Sequence, residues 1–103
     1  MRIEVLHIDD CQNWEEAGER VTIALARMGD TTTAVEFRLL STQEETAAVP
    51  FAGSPTVMLD GEDLFPGAER VVDLACRIYF TPQGLAGVPT VEQLVEAIDI
   101  HER

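Results

Sequence analysis

The spacing of apolar residues along this chain changes from segment to segment, and each change predicts an element. Arg2–Ile8 (RIEVLHI) is rich in Ile, Val and Leu, and Ile3, Val5, Leu6 and Ile8 put apolar side chains on both faces. That is the pattern of an interior strand covered on both sides. From about Asn13 to Met28, Trp14, Ala17, Val21, Ala24 and Met28 recur at intervals of three and four, with Leu25 widening the stripe, and predict an amphipathic helix. Glu15 and Glu16 lie in its first turn, where the helix dipole favours anions, and Gly29-Asp30 closes it. Ala34–Leu40 (AVEFRLL) alternates Val35, Phe37 and Leu39 with Glu36 and Arg38, a period-two strand. Thr42 and Glu45 form a capping box that opens a short helix over Thr42–Val49, stopped by Pro50.

Thr56–Leu59 and Glu62–Leu64 flank Asp60-Gly61, the strongest short hairpin signal, because both turn positions require positive φ. Phe65–Pro89 reads as irregular, with three prolines and three of the seven glycines, and holds a short helix near Glu69–Cys76. A last helix runs from about Val91 to His101, opened by the Thr90/Gln93 capping box and buried through Val91, Leu94, Val95 and Ile98. The order β-α-β-α-β-β-α is that of an α/β domain with a mixed four-stranded sheet: a right-handed βαβ crossover first, an antiparallel hairpin late.

Composition narrows the picture. With 103 residues there is room for one domain, 1–103, and 46% hydrophobic with 25% charged residues is ordinary for a globular chain. Seven Lys+Arg against nineteen Asp+Glu give a net charge of −12. A surface this acidic repels phosphate backbones and anionic lipid heads, so neither nucleic acid nor a membrane is an expected partner. No apolar run approaches the roughly 20 residues that span a bilayer, and Met1–Ile8 is too short and too charged for a signal-peptide core. A cytoplasmic location is expected. In that compartment Cys11 and Cys76 are reactive, metal-ligating or buried thiols rather than a structural staple.

Cys11 stands directly after the first strand and before the first helix. Backbone N–H groups and the positive end of the helix dipole favour a thiolate there, whereas Asp9, Asp10, Glu15 and Glu16 oppose it. Of Asp9 and Asp10, at most one reaches the thiol as a general acid, since adjacent extended residues point to opposite sides. His7, inside a strand, reads as a hydrogen-bonded core histidine, and His101 is assigned no role. No zinc-type spacing, Ser-His-Asp set or phosphate-cradling loop occurs, and no cofactor is implied.

The element order, Cys11 at the strand–helix junction, and Gly53-Ser54-Pro55-Thr56 leading into Val57-Met58-Leu59-Asp60-Gly61 together resemble the thioredoxin-fold superfamily. The resemblance implies a three-layer thioredoxin-like fold and a cis Pro55 facing Cys11, with Cys11 as the attacking thiol. Where that family has Cys-x-x-Cys, this chain has Cys11-Gln12-Asn13-Trp14, so no adjacent resolving thiol exists.

A narrower resemblance comes from Ala75-Cys76-Arg77-Ile78-Tyr79-Phe80 and Val88-Pro89-Thr90-Val91-Glu92-Gln93-Leu94, which look like the catalytic region of bacterial organomercurial (alkylmercury) lyases. Cys11 and Cys76 match that family's two cysteines. Its acidic proton donor, three residues after the first cysteine, is Trp14 here. The resemblances imply a thiol or disulfide substrate, or a soft metal held by Cys11 and Cys76. Pro55 and Thr56 shape the site, Trp14 shields it, and Arg77 offsets nearby carboxylates. The alternative is a non-catalytic binding module that kept the fold and lost the motif, its protein partner unknown.

Overall fold

A computed structural model describes residues 1–9, 11–66 and 73–102. The elements are β1 (Ile3–His7), α1 (Trp14–Arg27), β2 (Val35–Leu39), α2 (Gln43–Ala47), β3 (Thr56–Leu59), β4 (Glu62–Asp63), β5 (Tyr79–Thr81), β6 (Gly84–Ala86) and α3 (Val91–Glu102). β1 pairs in parallel with β2, from Ile3 opposite Val35 to His7 opposite Leu39, and antiparallel with β3, from Ile3 opposite Leu59 to Leu6 opposite Thr56. β3 turns back into β4 through Asp60 and Gly61, whose φ values of 51° and 86° are the ones the turn needs. The result is a mixed four-stranded sheet in the order β2-β1-β3-β4, accompanied by three helices among the described residues.

β1 and β3 are buried on both faces, as apolar runs without polar alternation require. On one face Ile3, Val57 and Leu59 pack with Val21, Ala24 and Leu25 of α1 and Leu94 and Ile98 of α3. On the other, Leu6, Ile8 and Met58 pack with Leu40, Phe51 and Cys11, in the region bordered by α2. α1 ends as its sequence predicts. Gly29 takes φ +86°, its N–H reaches the Ala26 carbonyl, and the Asp30 N–H reaches that of Leu25, a Schellman cap. Thr90 and Gln93 exchange their side-chain and backbone bonds at the start of α3.

Several expectations are corrected. Phe65–Pro89 is not wholly irregular, because β5 and β6 form a second hairpin, turning at Pro82-Gln83 with Gly84 at φ +111°. Of the helix expected over Glu69–Cys76, residues 69–72 lie outside the described set, and the remainder is not helical: Cys76 forms an isolated parallel bridge with Ser54. α2 stops at Ala47 rather than Val49, consistent with the residue before Pro50 being forced out of helical geometry. β2 has its predicted alternation, yet Phe37 and Leu39 remain nearly half exposed, because this edge strand has little covering it beyond α1. No helix among the described residues is long and apolar enough to cross a membrane.

Candidate thiol site

Cys11 leaves β1 on the α2 side of the sheet and is 2% exposed. Its Sγ donates to the Ser54 carbonyl at 3.3 Å and accepts from Asn13 Nδ2 at 4.0 Å. A sulfur donating to a carbonyl is a protonated thiol. The α1 N-terminus lies close by, but Asn13 makes no side-chain cap, and its amide is turned toward the sulfur and toward Gly87. Any Cβ on Gly87 would sit 2.1 Å from Asn13 Nδ2, so the bare glycine makes room for that amide.

Ser54 organises the site. It is fully buried, its hydroxyl accepts from the Ile8 N–H at 3.1 Å, and its carbonyl accepts both from Cys11 and from the Arg77 N–H at 2.9 Å. Its own N–H reaches the Ala75 carbonyl at 2.8 Å, which completes the bridge beside Cys76. Ser54 is thus bonded both to Cys11 and to the residues flanking Cys76. The Cys11 sulfur lies within two hydrogen-bond lengths of the Arg77 amide. Cys76 is exposed and Cys11 buried, and neither is in a disulfide.

The Ser54–Pro55 peptide is cis, and this loop is held from the other side by the 77–79 segment. Tyr79 donates its hydroxyl to the Pro55 carbonyl, and burial pushes that hydroxyl well above its usual ionisation range. The Arg77 guanidinium does not turn toward either thiol. It pairs with Asp63 at 2.9 Å, donates to the Phe65 carbonyl at 2.8 Å and lies 4.6 Å over the Tyr79 ring. The charge offset expected of Arg77 is therefore spent on anchoring its own strand. Thr56 is buried and gives its hydroxyl to the Gly53 carbonyl while accepting from the Ala52 N–H, so it shapes the loop. Gly53, at φ +107°, admits Arg77: a Cβ there would come within 2.7 Å of the Arg77 Cβ and 2.8 Å of its Cα.

Trp14 is half-buried and stacks on His7 at 4.3 Å with 16° between the rings, and it meets Phe37 edge-on at 5.3 Å. Its indole covers the histidine. His7 lies in the core, as expected of it. It is buried, but its Nδ1 has no hydrogen-bond partner among the described residues. Burial lowers its tendency to protonate, against the pull of the Asp9 carboxylate and of the Ile8 backbone. Asp10 lies outside the described residues.

Among the described residues no group of three or more His, Cys, Asp or Glu side chains is gathered for a metal ion, which leaves the two thiols as the available soft ligands. Sequence reasoning singled out the Pro55 loop but not Ser54 or Asn13. Their only signals are positional: one precedes a proline, the other stands two residues after a cysteine. No family model, curated protein or solved structure matches the chain.

Proposed function

We propose that the chain is a thioredoxin-like thiol domain in which Cys76 and Cys11 act in sequence on a disulfide, or together capture a soft metal. The strand order β2-β1-β3-β4, with one parallel and two antiparallel pairs, supports the thioredoxin-like part of this reading. The observation that carries the thiol part is Ser54, whose carbonyl accepts from both Cys11 and the Arg77 N–H and whose N–H reaches the Ala75 carbonyl. The exposure of Cys76 and the burial of Cys11 favour Cys76 as the attacking thiol, in place of the Cys11 that the family resemblance implies. The Cys76 thiolate attacks a substrate disulfide, forming a mixed disulfide and expelling one substrate thiolate. Cys11 then loses its proton and attacks the Cys76 sulfur, closing Cys11–Cys76 and releasing the second substrate thiol. The substrate gains two electrons and the two cysteines lose them. Closure needs Cα atoms within about 7 Å.

Diamide oxidation followed by peptide mass mapping tests this. An intramolecular Cys11–Cys76 link is expected, together with one mercury(II) bound per chain and weaker binding in Cys76→Ser. Cys11 staying reduced while Cys76 is consumed, with mercury affinity unchanged in Cys11→Ser, overturns the pair. The burial of Cys11 in a core cluster favours the non-catalytic binding module in that event.

A further inference from the structure

The outer face of the β5–β6 hairpin is unlike the rest of the surface. Phe80 and Leu85 stand directly opposite each other across the two strands and are 80% and 68% exposed. Ile78, two residues before Phe80 and hence on the same side of the extended chain, is 62% exposed. The inner face is closed by Tyr79, buried under Arg77 and edge-on to Phe65. An antiparallel hairpin with one face in water ordinarily presents polar side chains there. This one presents a contiguous apolar ridge, which single exposed apolar residues do not make.

Charge selects what covers the ridge. The chain carries −12, yet no Asp, Glu, Lys, Arg or His occurs from Ile78 to Val91. Two copies of so acidic a chain repel wherever their carboxylates face each other, as Glu15, Glu16 and Glu19 of α1 or Glu92, Glu96 and Asp99 of α3 would. A basic partner drawn in by that field would meet carboxylates, and a charge-free ridge offers it nothing. A second, equally acidic copy needs just such a neutral strip. We propose that Ile78, Phe80 and Leu85 form a homodimer contact across a two-fold axis, each ridge packing against the same ridge of the second copy.

Area sets the strength. Three such side chains offer on the order of 400 Å² per copy, about half of the ~800 Å² per partner of a stable interface. The dimer is therefore weak and reversible. It strengthens with salt, because screening weakens the repulsion between two chains that each carry −12.

Sedimentation velocity in a reducing buffer, across a wide range of protein concentration and at about 0.15 M and about 1 M salt, tests the contact without thiol cross-linking. Wild type should move from monomer toward dimer as concentration rises, more steeply in high salt. Phe80→Ser and, separately, Leu85→Ser should stay monomeric throughout, with unchanged circular dichroism since both side chains are exposed. Dilution-dependent amide shifts should be confined to residues 78–86. A wild type that stays monomeric at the highest concentration in high salt overturns the proposal, as does a folded Phe80→Ser that associates like wild type. Neither result depends on the chemistry of Cys11 or Cys76.

Discussion

On one face of β1, Val5 and His7 point toward α1; on the other, Leu6 and Ile8 close over Cys11. Each face buries one side chain capable of proton chemistry, and the two are treated differently. The thiol has a carbonyl acceptor and an amide donor. The imidazole has an indole against its flat side and no partner for Nδ1 among the described residues. Burial is common to both, and the unpartnered Nδ1 separates them. A satisfied buried group holds its neighbours in place, whereas an unsatisfied one is a standing penalty of about 1–3 kcal/mol.

The largest expected effect strikes the framework on the thiol side. Gly53→Ala places a Cβ against the backbone of Arg77 at a φ that L-residues rarely adopt, and should destabilise the fold by about 3 kcal/mol in urea unfolding. A loss under about 1 kcal/mol would show that the two segments separate easily and that Ser54 is not clamped from both sides.

The imidazole side predicts the opposite sign. His7→Phe keeps a ring against Trp14, removes the orphaned nitrogen and should stabilise by about 1 kcal/mol at neutral pH. The gain should widen in acid. Burial holds the folded His7 below its ordinary value of 6.5, so the neutral form contributes fully above 6.5. That contribution is lost as pH falls through the lower, folded value. Unfolding followed by Trp14 fluorescence, compared between wild type and His7→Phe across this window, reads the difference. Parallel pH profiles would mean that water or Asp9 satisfies the ring.

The smallest effect distinguishes donor from filler at Cys11. Cys11→Ser keeps a hydroxyl donor for the Ser54 carbonyl, and Cys11→Ala does not. Serine should be the more stable of the two by about 0.5–1 kcal/mol in thermal melts. Alanine matching or exceeding serine would make the cysteine a space-filling residue.

Much of this arrangement is legible in the sequence where local chemistry decides it. The Thr42 and Thr90 caps, the Gly29 terminator and the Asp60-Gly61 turn each need a particular residue type, and each appears where that type occurs. The β5–β6 hairpin escapes because its strands are too short to show a period, and its turn combines Pro82 with a positive φ at Gly84 instead of an Asn-Gly or Asp-Gly pair. Phe37 mimics a core position because alternation records one face of a strand and says nothing of whether a neighbour covers it. Its ring instead lies over Gly18 of α1, where a methyl group would come within 2.4 Å of it. At the site, the place of Cys11 beside the Pro55 loop is foreshadowed only by a family resemblance, since neither residue's local sequence reports the other. The roles of Ser54 and Arg77 are not, because they depend on which segment crosses which in three dimensions.

The Ser54 carbonyl has two lone pairs, and both are occupied, one by a sulfur and one by an amide. Any reaction that strips the proton from Cys11 turns an attraction into a repulsion between two electron-rich atoms. The least constrained way to relieve it is for the peptide plane to rotate, which loosens the bond to Arg77 in the same motion. The oxygen thus behaves as a mechanical linkage, converting a change of charge at a buried atom into slack in the segment that carries an exposed one. Amide hydrogen exchange at Arg77, before and after Cys11 is modified, would record that slack directly.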